Sequence, residues 1–263
     1  MKDGIFELAK DPACIFALFP DGGGRLLSPF RYNDPRLFYP TGRVNESYTN
    51  YPEIRKLTGT SGKLTSIYSS SLNLTDDGYF YNTSSSSVAY IRFTGFNFKG
   101  DSTDKTFFAR FYLPKIFYSG TEANYYYARP FRVGTSSYPY TIEADMTSVS
   151  ADSTYAIKGR WDSLVIRGNT GFEQGKWYTA ALTKRTVDAG QAYCELWVNG
   201  IFTASNTLSA SSNVMKETNR LETASLGLSR SADCFKQDFA MIFDRVLSNE
   251  EIERYSGQPT ANS

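Results

Sequence analysis

The 263-residue sequence contains no histidine. This absence excludes Ser-His-Asp and Cys-His catalysis, histidine-ligated zinc and pH sensing by histidine. An excess of one charge sign is also lacking, because 28 Lys and Arg residues face 27 Asp and Glu residues and leave a formal net charge of +1. With no basic block, a role in coating nucleic acid is not expected. Carboxylate chemistry, oxygen-ligated calcium and a non-catalytic role stay open.

Cysteine is scarce, and long apolar runs are missing. Cys14, Cys194 and Cys234 are odd in number and form no CxxC pair, whereas secreted disulfide scaffolds have dense and even cysteines. Three reduced thiols are therefore expected. The N-terminal stretch has charged residues among its apolar ones and lacks a signal-peptide layout. No run approaches the roughly 20 apolar residues of a membrane span, so we expect a chain that folds in the cytoplasm.

Aromatic residues are abundant, at 16% of the chain within a hydrophobic content of 41%, which is enough to fill a substantial core. From about residue 64, apolar and polar residues alternate with period two, as in residues 140–146. This pattern is typical of half-buried antiparallel strands. Many such segments, separated by Gly, Ser, Asn and Asp, predict an all-β, antiparallel two-sheet jelly-roll sandwich.

Two local motifs predict a hairpin and a helix. Asn199-Gly200 lies between two strand patterns and favours a two-residue type I′ turn. Ser248 and Glu251 form a Ser-x-x-Glu capping box, and Leu247 with Ile252 supplies the matching hydrophobic staple. We therefore predict one short C-terminal helix that Gly257 ends.

The first sixty residues differ from the rest of the chain. Residues 12–40 hold five of the ten prolines, and residues 22–24 are three consecutive glycines, yet large apolar side chains are frequent. We predict an irregular N-terminal docking arm at residues 1–60, a sandwich at 61–257 and a polar tail at 258–263. The alternative is an arm that packs on its own sandwich.

Four C-terminal motifs occur in an order that resembles the laminin-G-like branch of the concanavalin A-like lectin/glucanase superfamily. They are Trp177 to Ala181, Val198 to Gly200, Leu226-Gly227, and Leu247 to Ile252 followed by Tyr255. The clear match covers residues 175–256, and a weaker one reaches back to about residue 88. The resemblance implies a concanavalin A-like jelly roll that serves as a binding or structural module, with Trp177 as a core aromatic between the sheets.

Carboxylates supply one catalytic hypothesis. Some members of that superfamily hydrolyse glucans with a Glu-x-Asp-x-Glu strand, and Glu143 and Asp145 have the first two positions, whereas Thr147 stands at the third. Retaining hydrolysis needs two carboxyls about 5–5.5 Å apart. The alternative interpretation, a solvent-facing acidic strand, is favoured. Loops at Asp76-Asp77 and Asp101 to Asp104 have a composition suited to calcium, but no defined ligand spacing, so no metal residue is assigned.

Sugar-binding modules stack rings on exposed aromatics and hydrogen-bond hydroxyls with polar side chains. The glycan-binding candidates are Tyr125, Tyr126, Tyr127, Arg129, Trp161 and Asp162. A tyrosine run can equally cover one sheet face or an oligomer seam.

A lectin-like sandwich, no export signal, reduced thiols and an aromatic arm are together explained by a virion protein. Such proteins assemble in the host cytoplasm and act outside the cell after lysis. The leading hypothesis is thus a non-enzymatic capsid-decoration, fibre or tail component that forms homo-oligomers. Its arm docks on another virion protein, and its sandwich touches host-surface glycan. The alternatives are a glycoside hydrolase using Glu143 and Asp145, and an exported bacterial glycan-binding module.

Overall fold

The structure is a computed structural model and confirms the all-β prediction, with two antiparallel sheets packed as a sandwich. It describes residues 2–9, 11–20, 25–27, 38–40, 46–48, 64–68, 72–74, 80–82, 89–94, 98–115, 126–135, 139–146, 153–188, 190–216, 218, 220–227 and 235–257.

The elements follow one another along the chain as three short helices and eighteen strands within this described part. They are α1 Lys2–Ala9, β1 Cys14–Pro20, β2 Arg25–Leu27, β3 Phe38–Pro40, β4 Glu46–Tyr48, β5 Leu64–Tyr68, β6 Leu72–Leu74, β7 Phe80–Asn82, β8 Ala89–Thr94, β9 Lys105–Leu113, β10 Tyr126–Gly134, β11 Tyr140–Met146, β12 Tyr155–Trp161, β13 Leu164–Phe172, β14 Lys176–Asp188, β15 Gln191–Val198, β16 Ile201–Leu208, α2 Ala210–Asn213, β17 Arg220–Gly227, β18 Phe235–Phe243 and α3 Asn249–Ser256.

The ten-stranded sheet has the order β16-β15-β14-β9-β18-β1-β2-β3, with β7 also pairing with β18 and β6 with β7. The eight-stranded sheet has the order β13-β12-β11-β10-β17-β8-β5-β4. The main core lies between the two sheets. There Phe107 of β9 stacks on Phe131 and on Trp161, with ring centroids 5.0 and 5.5 Å apart. All three rings are fully buried.

The outer face of the ten-stranded sheet is also covered. A second apolar cluster joins Phe108 and Phe243 of this sheet to Leu8 of α1 and Ile252 of α3. We call this surface the apolar face. Because strand side chains alternate between faces, β9 places Phe107 in the main core and Phe108 in this second cluster.

The prediction of an irregular arm is wrong for residues 2–20, and β2, β3 and β4 also pair within the two sheets, which favours the alternative that this segment packs on its own sandwich. α1 is a helix, and β1 pairs with β18 in the register Phe16↔Ile242. Ile15 and Phe16 belong to the main core, while Cys14 and Ala17 belong to the apolar face. A strand buried on both faces shows no period-two contrast, which is why the sequence pattern did not indicate it. The Gly22–Gly24 stretch and residues 258–263 lie outside the described residues, and the boundary at residue 60 stays a prediction.

The two local predictions are confirmed. Asn199 and Gly200 have φ values of 52° and 79° between β15 and β16, as a type I′ turn requires. The Ser248 hydroxyl accepts from the Glu251 backbone N–H at 3.2 Å, and the Glu251 carboxylate accepts from the Ser248 N–H at 2.8 Å. The capping box therefore begins α3.

Trp177 does not lie between the sheets. On β14 the residues that face the main core are Tyr178, Ala180 and Leu182, so the alternation turns Trp177 outward. Its ring is partly exposed and lies 5.2 Å from the Arg110 guanidinium. The prediction that Trp177 lies in the core is therefore wrong. The inward positions of β14 are shifted by one residue from the predicted ones, and such a shift moves a strand side chain to the opposite face.

The described thiols agree with a reduced chain. Cys14 and Cys194 are free and buried, and burial raises the pKa of both. Cys234 lies outside the described residues. Of the helices that the structure describes, none has the length and hydrophobicity to cross a membrane.

Candidate functional site: the outer face of the eight-stranded sheet

The predicted glycan-binding residues do not come together. Tyr126 and Tyr127 pair with Met146 and Asp145 at one end of β11, whereas Trp161 pairs with Tyr140 at the other end. Six residue steps of a strand separate these ends by about 20 Å. The candidates that the structure describes therefore mark two places. Tyr125 lies outside the described residues, as do the side chains of Tyr126 and Tyr127.

Trp161 is not a sugar platform, and this candidate is withdrawn. Its side chain is 0% exposed and packs between Phe107 and Tyr140, whose ring centroid is 5.0 Å away. The reason is the alternation of β12, which turns Tyr155, Ile157 and Trp161 into the core.

Asp162 holds a turn in place. It follows β12 with a φ of 55°, accepts from the Ser212 hydroxyl at 3.0 Å and pairs with the Lys216 ammonium at 2.5 Å. Burial opposes ionisation, but the hydrogen bonds from Lys216 and Ser212 outweigh it and keep the pKa of Asp162 below its usual range. Its oxygens thus fix the β12–β13 turn to α2 and to the segment that follows this helix.

The outer face of the eight-stranded sheet is rich in charge. Its alternating positions carry seven basic and three acidic side chains within the described residues, namely Arg92, Arg129, Arg132, Lys158, Arg160, Arg167 and Arg220 with Glu143, Asp145 and Glu222. We call this surface the charged face. Because the whole chain has a formal net charge of +1, positive charge is concentrated here.

One row of the charged face crosses five strands. The register aligns Arg92 of β8, Glu222 of β17, Arg132 of β10, Thr141 of β11 and Arg160 of β12. Glu222 lies between the first two arginines, with contacts of 2.6 Å to Arg92 and 3.0 Å to Arg132. The Glu222 side chain is 1% exposed, so this carboxylate fixes both guanidinium groups on the sheet.

Arg129 reaches the charged face through a bulge. The register between β10 and β11 shifts between Ala128 and Phe131, and the Arg129 Nε atom donates to Glu143 at 3.0 Å. Gln237 of the other sheet donates its side-chain amide to the Pro130 carbonyl oxygen at 3.0 Å. A buried amide therefore anchors the bulge that aims Arg129.

The two carboxylates of the hydrolase hypothesis are both engaged in ion pairs. Glu143 pairs with Arg129 at 3.0 Å, and Asp145 pairs with Lys158 at 2.5 Å. The Asp145 side chain is 1% exposed, so its carboxylate is shielded from solvent as well as paired. The geometry gives both carboxylates the role of orienting basic side chains.

The ammonium groups of two lysines contact the loop Asp101 to Asp104, whose composition suits calcium. The Lys105 ammonium contacts Asp101 at 2.7 Å and Asp244 at 2.9 Å. The Lys184 ammonium donates to the backbone carbonyl oxygens of residues 102 and 103, at 2.5 and 3.1 Å. Both lysine side chains are fully buried. Burial lowers the pKa of Lys184. Two ammonium groups thus use the oxygen atoms that a calcium ion would need.

A metal centre is not assigned. Across the described part of the chain, no group of three or more His, Cys, Asp or Glu side chains is placed to hold a metal ion. The other calcium candidate, Asp76-Asp77, lies outside the described residues.

The sequence interpretation missed most of the charged face. Arg92, Arg132 and Arg160 occupy outward positions of three strands far apart in the chain. The available signal was an arginine at a polar position of each strand pattern. These positions form one row because of the order of the strands in the sheet. The alternation of apolar and polar residues does not predict that order.

Comparison with known proteins gives structural likeness. No model of a known family and no curated protein sequence matches this chain. Similar solved structures include the receptor binding domain of botulinum neurotoxin D, with a TM-score of 0.54 and 12% identity. The binding domain of botulinum neurotoxin DC in complex with SialylT is also similar, with a TM-score of 0.53 and 11% identity. The receptor binding domain of botulinum neurotoxin type G has a TM-score of 0.52 and 11% identity.

The similarity covers 92–93% of this chain and 50–52% of those proteins. The chain therefore spans about half the length of these solved structures. At such low identity the likeness establishes the fold, an antiparallel β-sandwich.

Proposed function

We propose that the chain is a non-enzymatic glycan-binding module of a virion structural or adhesion protein, and that the charged face binds a host-surface glycan. The charged face itself carries the proposal, because ion pairs such as Arg129–Glu143 hold its hydrogen-bonding groups in fixed orientations. Oriented polar groups on a rigid sheet recognise sugar hydroxyls at little ordering cost.

The fold supports a binding role by analogy. One similar structure is a binding domain in complex with SialylT, which supports binding rather than catalysis in a sandwich of this architecture. Because function resides in sites rather than in the fold, the analogy supports the class of function. We propose the charged face as the location because it presents oriented polar groups.

The proposal that the chain belongs to a virion depends on the cellular compartment in which the chain folds. Buried free thiols at Cys14 and Cys194 fit a chain that folds in a reducing cytoplasm, and virion proteins assemble there before they act outside the cell. Strands β1 to β4 of the predicted arm all pair within the two sheets, so the proposed contact with another virion protein has no separate arm among the described residues. Neighbouring reading frames for capsid or tail proteins would support this part, and a neighbourhood of secreted proteins would oppose it.

A glycan array tests the charged face. The full chain should bind at least one glycan, and Arg167→Glu should weaken that binding at least tenfold, because Arg167 is exposed on the charged face. Arg185→Glu is the matched control, since Arg185 is an exposed arginine on β14 of the other sheet. Equal losses in both variants would show a net-charge effect, and binding that neither variant weakens would place the site elsewhere.

The same protein tests the hydrolase alternative. No reducing sugar should be released from a panel of polysaccharides. Release that Glu143→Gln abolishes would replace the binding proposal with hydrolysis, since that change keeps the shape and removes the charge of the carboxylate.

A further inference from the structure

Thr141 carries an unusual buried hydroxyl on the charged face. The residue is 4% exposed, and nothing in the described part of the chain hydrogen-bonds its Oγ1 atom. A shielded polar atom without a partner costs free energy, and buried polar groups in folded proteins almost always have one. The Oγ1 atom therefore has a hydrogen-bond donor that no described residue uses.

Arg160 is the cation beside this hydroxyl. Thr141 and Arg160 are direct cross-strand partners, and such pairs have Cβ atoms about 4.5–5.5 Å apart. Arg160 is partly exposed, and no carboxylate of the described residues pairs with it. The one acid of this row, Glu222, is already held by Arg92 and Arg132.

We propose that Arg160 and Thr141 form a subsite for the anionic group of an acidic sugar, either a carboxylate or a sulfate. This inference rests on the proposed glycan binding and adds the ligand's chemical class. The guanidinium offers two parallel N–H donors to a planar or tetrahedral oxyanion. The Thr141 hydroxyl donates to an oxygen of the same group.

Binding includes a rotamer change of Arg160. Thr141 is nearly shielded from solvent, so an anion reaches its hydroxyl only after the Arg160 side chain moves. Arg160 is free to move, because no carboxylate among the described residues pairs with it. A neutral sugar would leave the guanidinium without its anion. Sites that are built around a charged or hydrogen-bonded group reject ligands that lack it, so acidic sugars should be preferred.

The experiment uses the full chain and three probes measured by calorimetry: sialyllactose for a carboxylate, lactose 3′-sulfate for a sulfate, and lactose as the neutral parent. At least one acidic probe should bind about tenfold or more tightly than lactose. Arg160→Gln and Thr141→Val should each remove about tenfold of that preference. Thr141→Val preserves shape and removes a hydroxyl that has no partner, so it should fold normally. Arg185→Gln on the other sheet is the matched control and should change nothing.

The outcomes separate the two proposals. Equal binding of acidic and neutral probes, unaffected by Arg160→Gln and Thr141→Val, overturns the anionic subsite and leaves glycan binding in place. Absence of binding to all three probes and to every glycan on the array overturns both. A preference that only one acidic probe shows supports the subsite and identifies the anion as carboxylate or sulfate.

Discussion

The two outer faces of this sandwich differ in their side chains and in the elements that pack on them. The apolar face presents Phe108 and Phe243 to α1 and α3, so it is a second core. The charged face, at its alternating positions, presents seven basic and three acidic side chains within the described residues.

The difference predicts that one sheet serves stability and that the other serves the proposed recognition. The inner faces of both sheets are alike, since both are apolar and packed. On the outer side, the ten-stranded sheet is covered by α1 and α3 near the two ends of the described chain. The Arg245 guanidinium forms ion pairs with both Asp11 and Glu251 and so links these two ends. The other sheet keeps polar groups in register. Substitutions on the first should therefore change folding, and substitutions on the second should change binding.

The largest effect should come from removing residues 1–20. This deletion takes away α1 and β1, with Ile15 and Phe16 of the main core, and exposes the edge of β18. We expect a chain that lacks cooperative unfolding, measured by circular dichroism during heating. Removal of residues 258–263, the predicted polar tail, is the control and should leave the melting temperature unchanged.

A cooperative transition in the chain without residues 1–20 would contradict this expectation. It would restore the earlier interpretation of the segment as a docking arm, and the apolar face would then be stable without α1.

A pair of point substitutions sharpens the comparison. Phe108→Ala on the apolar face removes a fully buried ring and should lower the free energy of unfolding by about 3–5 kcal/mol. Arg160→Gln on the charged face should change it by about 0.5 kcal/mol or less, and we expect this variant to weaken the proposed glycan binding. Urea denaturation measures both, and equal losses of stability would mean that the charged face is also a folding element.

Local chemistry could be predicted from the sequence more completely than the faces of the sheets. The Asn199-Gly200 turn and the Ser248 cap each depend on a few adjacent residues, and both are confirmed. Trp177 and Trp161 were misplaced because the phase of an alternating strand is set by its neighbours rather than by its own pattern.

The charged face depends on long-range register, and this is why it escaped prediction. Thr141 lies between Arg132 and Arg160 only because β10, β11 and β12 are adjacent and aligned. β1 escaped for a related reason, because both of its faces are buried. Where a position's role depends on which strand lies beside it, composition and periodicity are insufficient.

The smallest expected effect concerns acid and the link between the chain ends. The hydrogen bond from Arg245, together with its charge, outweighs burial and holds the pKa of Glu251 below its usual range. Because this folded-state pKa lies below the unfolded value of about 4.3, the stabilisation is present above pH 4.3 and is lost as the pH falls through the folded pKa.

The variant Arg245→Gln removes the ion pair of Arg245 with Glu251 together with its ion pair with Asp11. The Arg245 and Glu251 side chains are both 31% exposed, so solvent screening limits this pair to about 1 kcal/mol or less. The free energy of unfolding, measured by urea denaturation, should be lower in Arg245→Gln than in the unaltered chain at pH 7, and the gap should shrink below pH 4.3. Glu253→Gln, a change at an exposed position of α3, is the control. A gap that stays constant with pH would mean that Arg245 stabilises the apolar face by packing against Phe243, whose ring centroid is 6.0 Å from its guanidinium, rather than by charge.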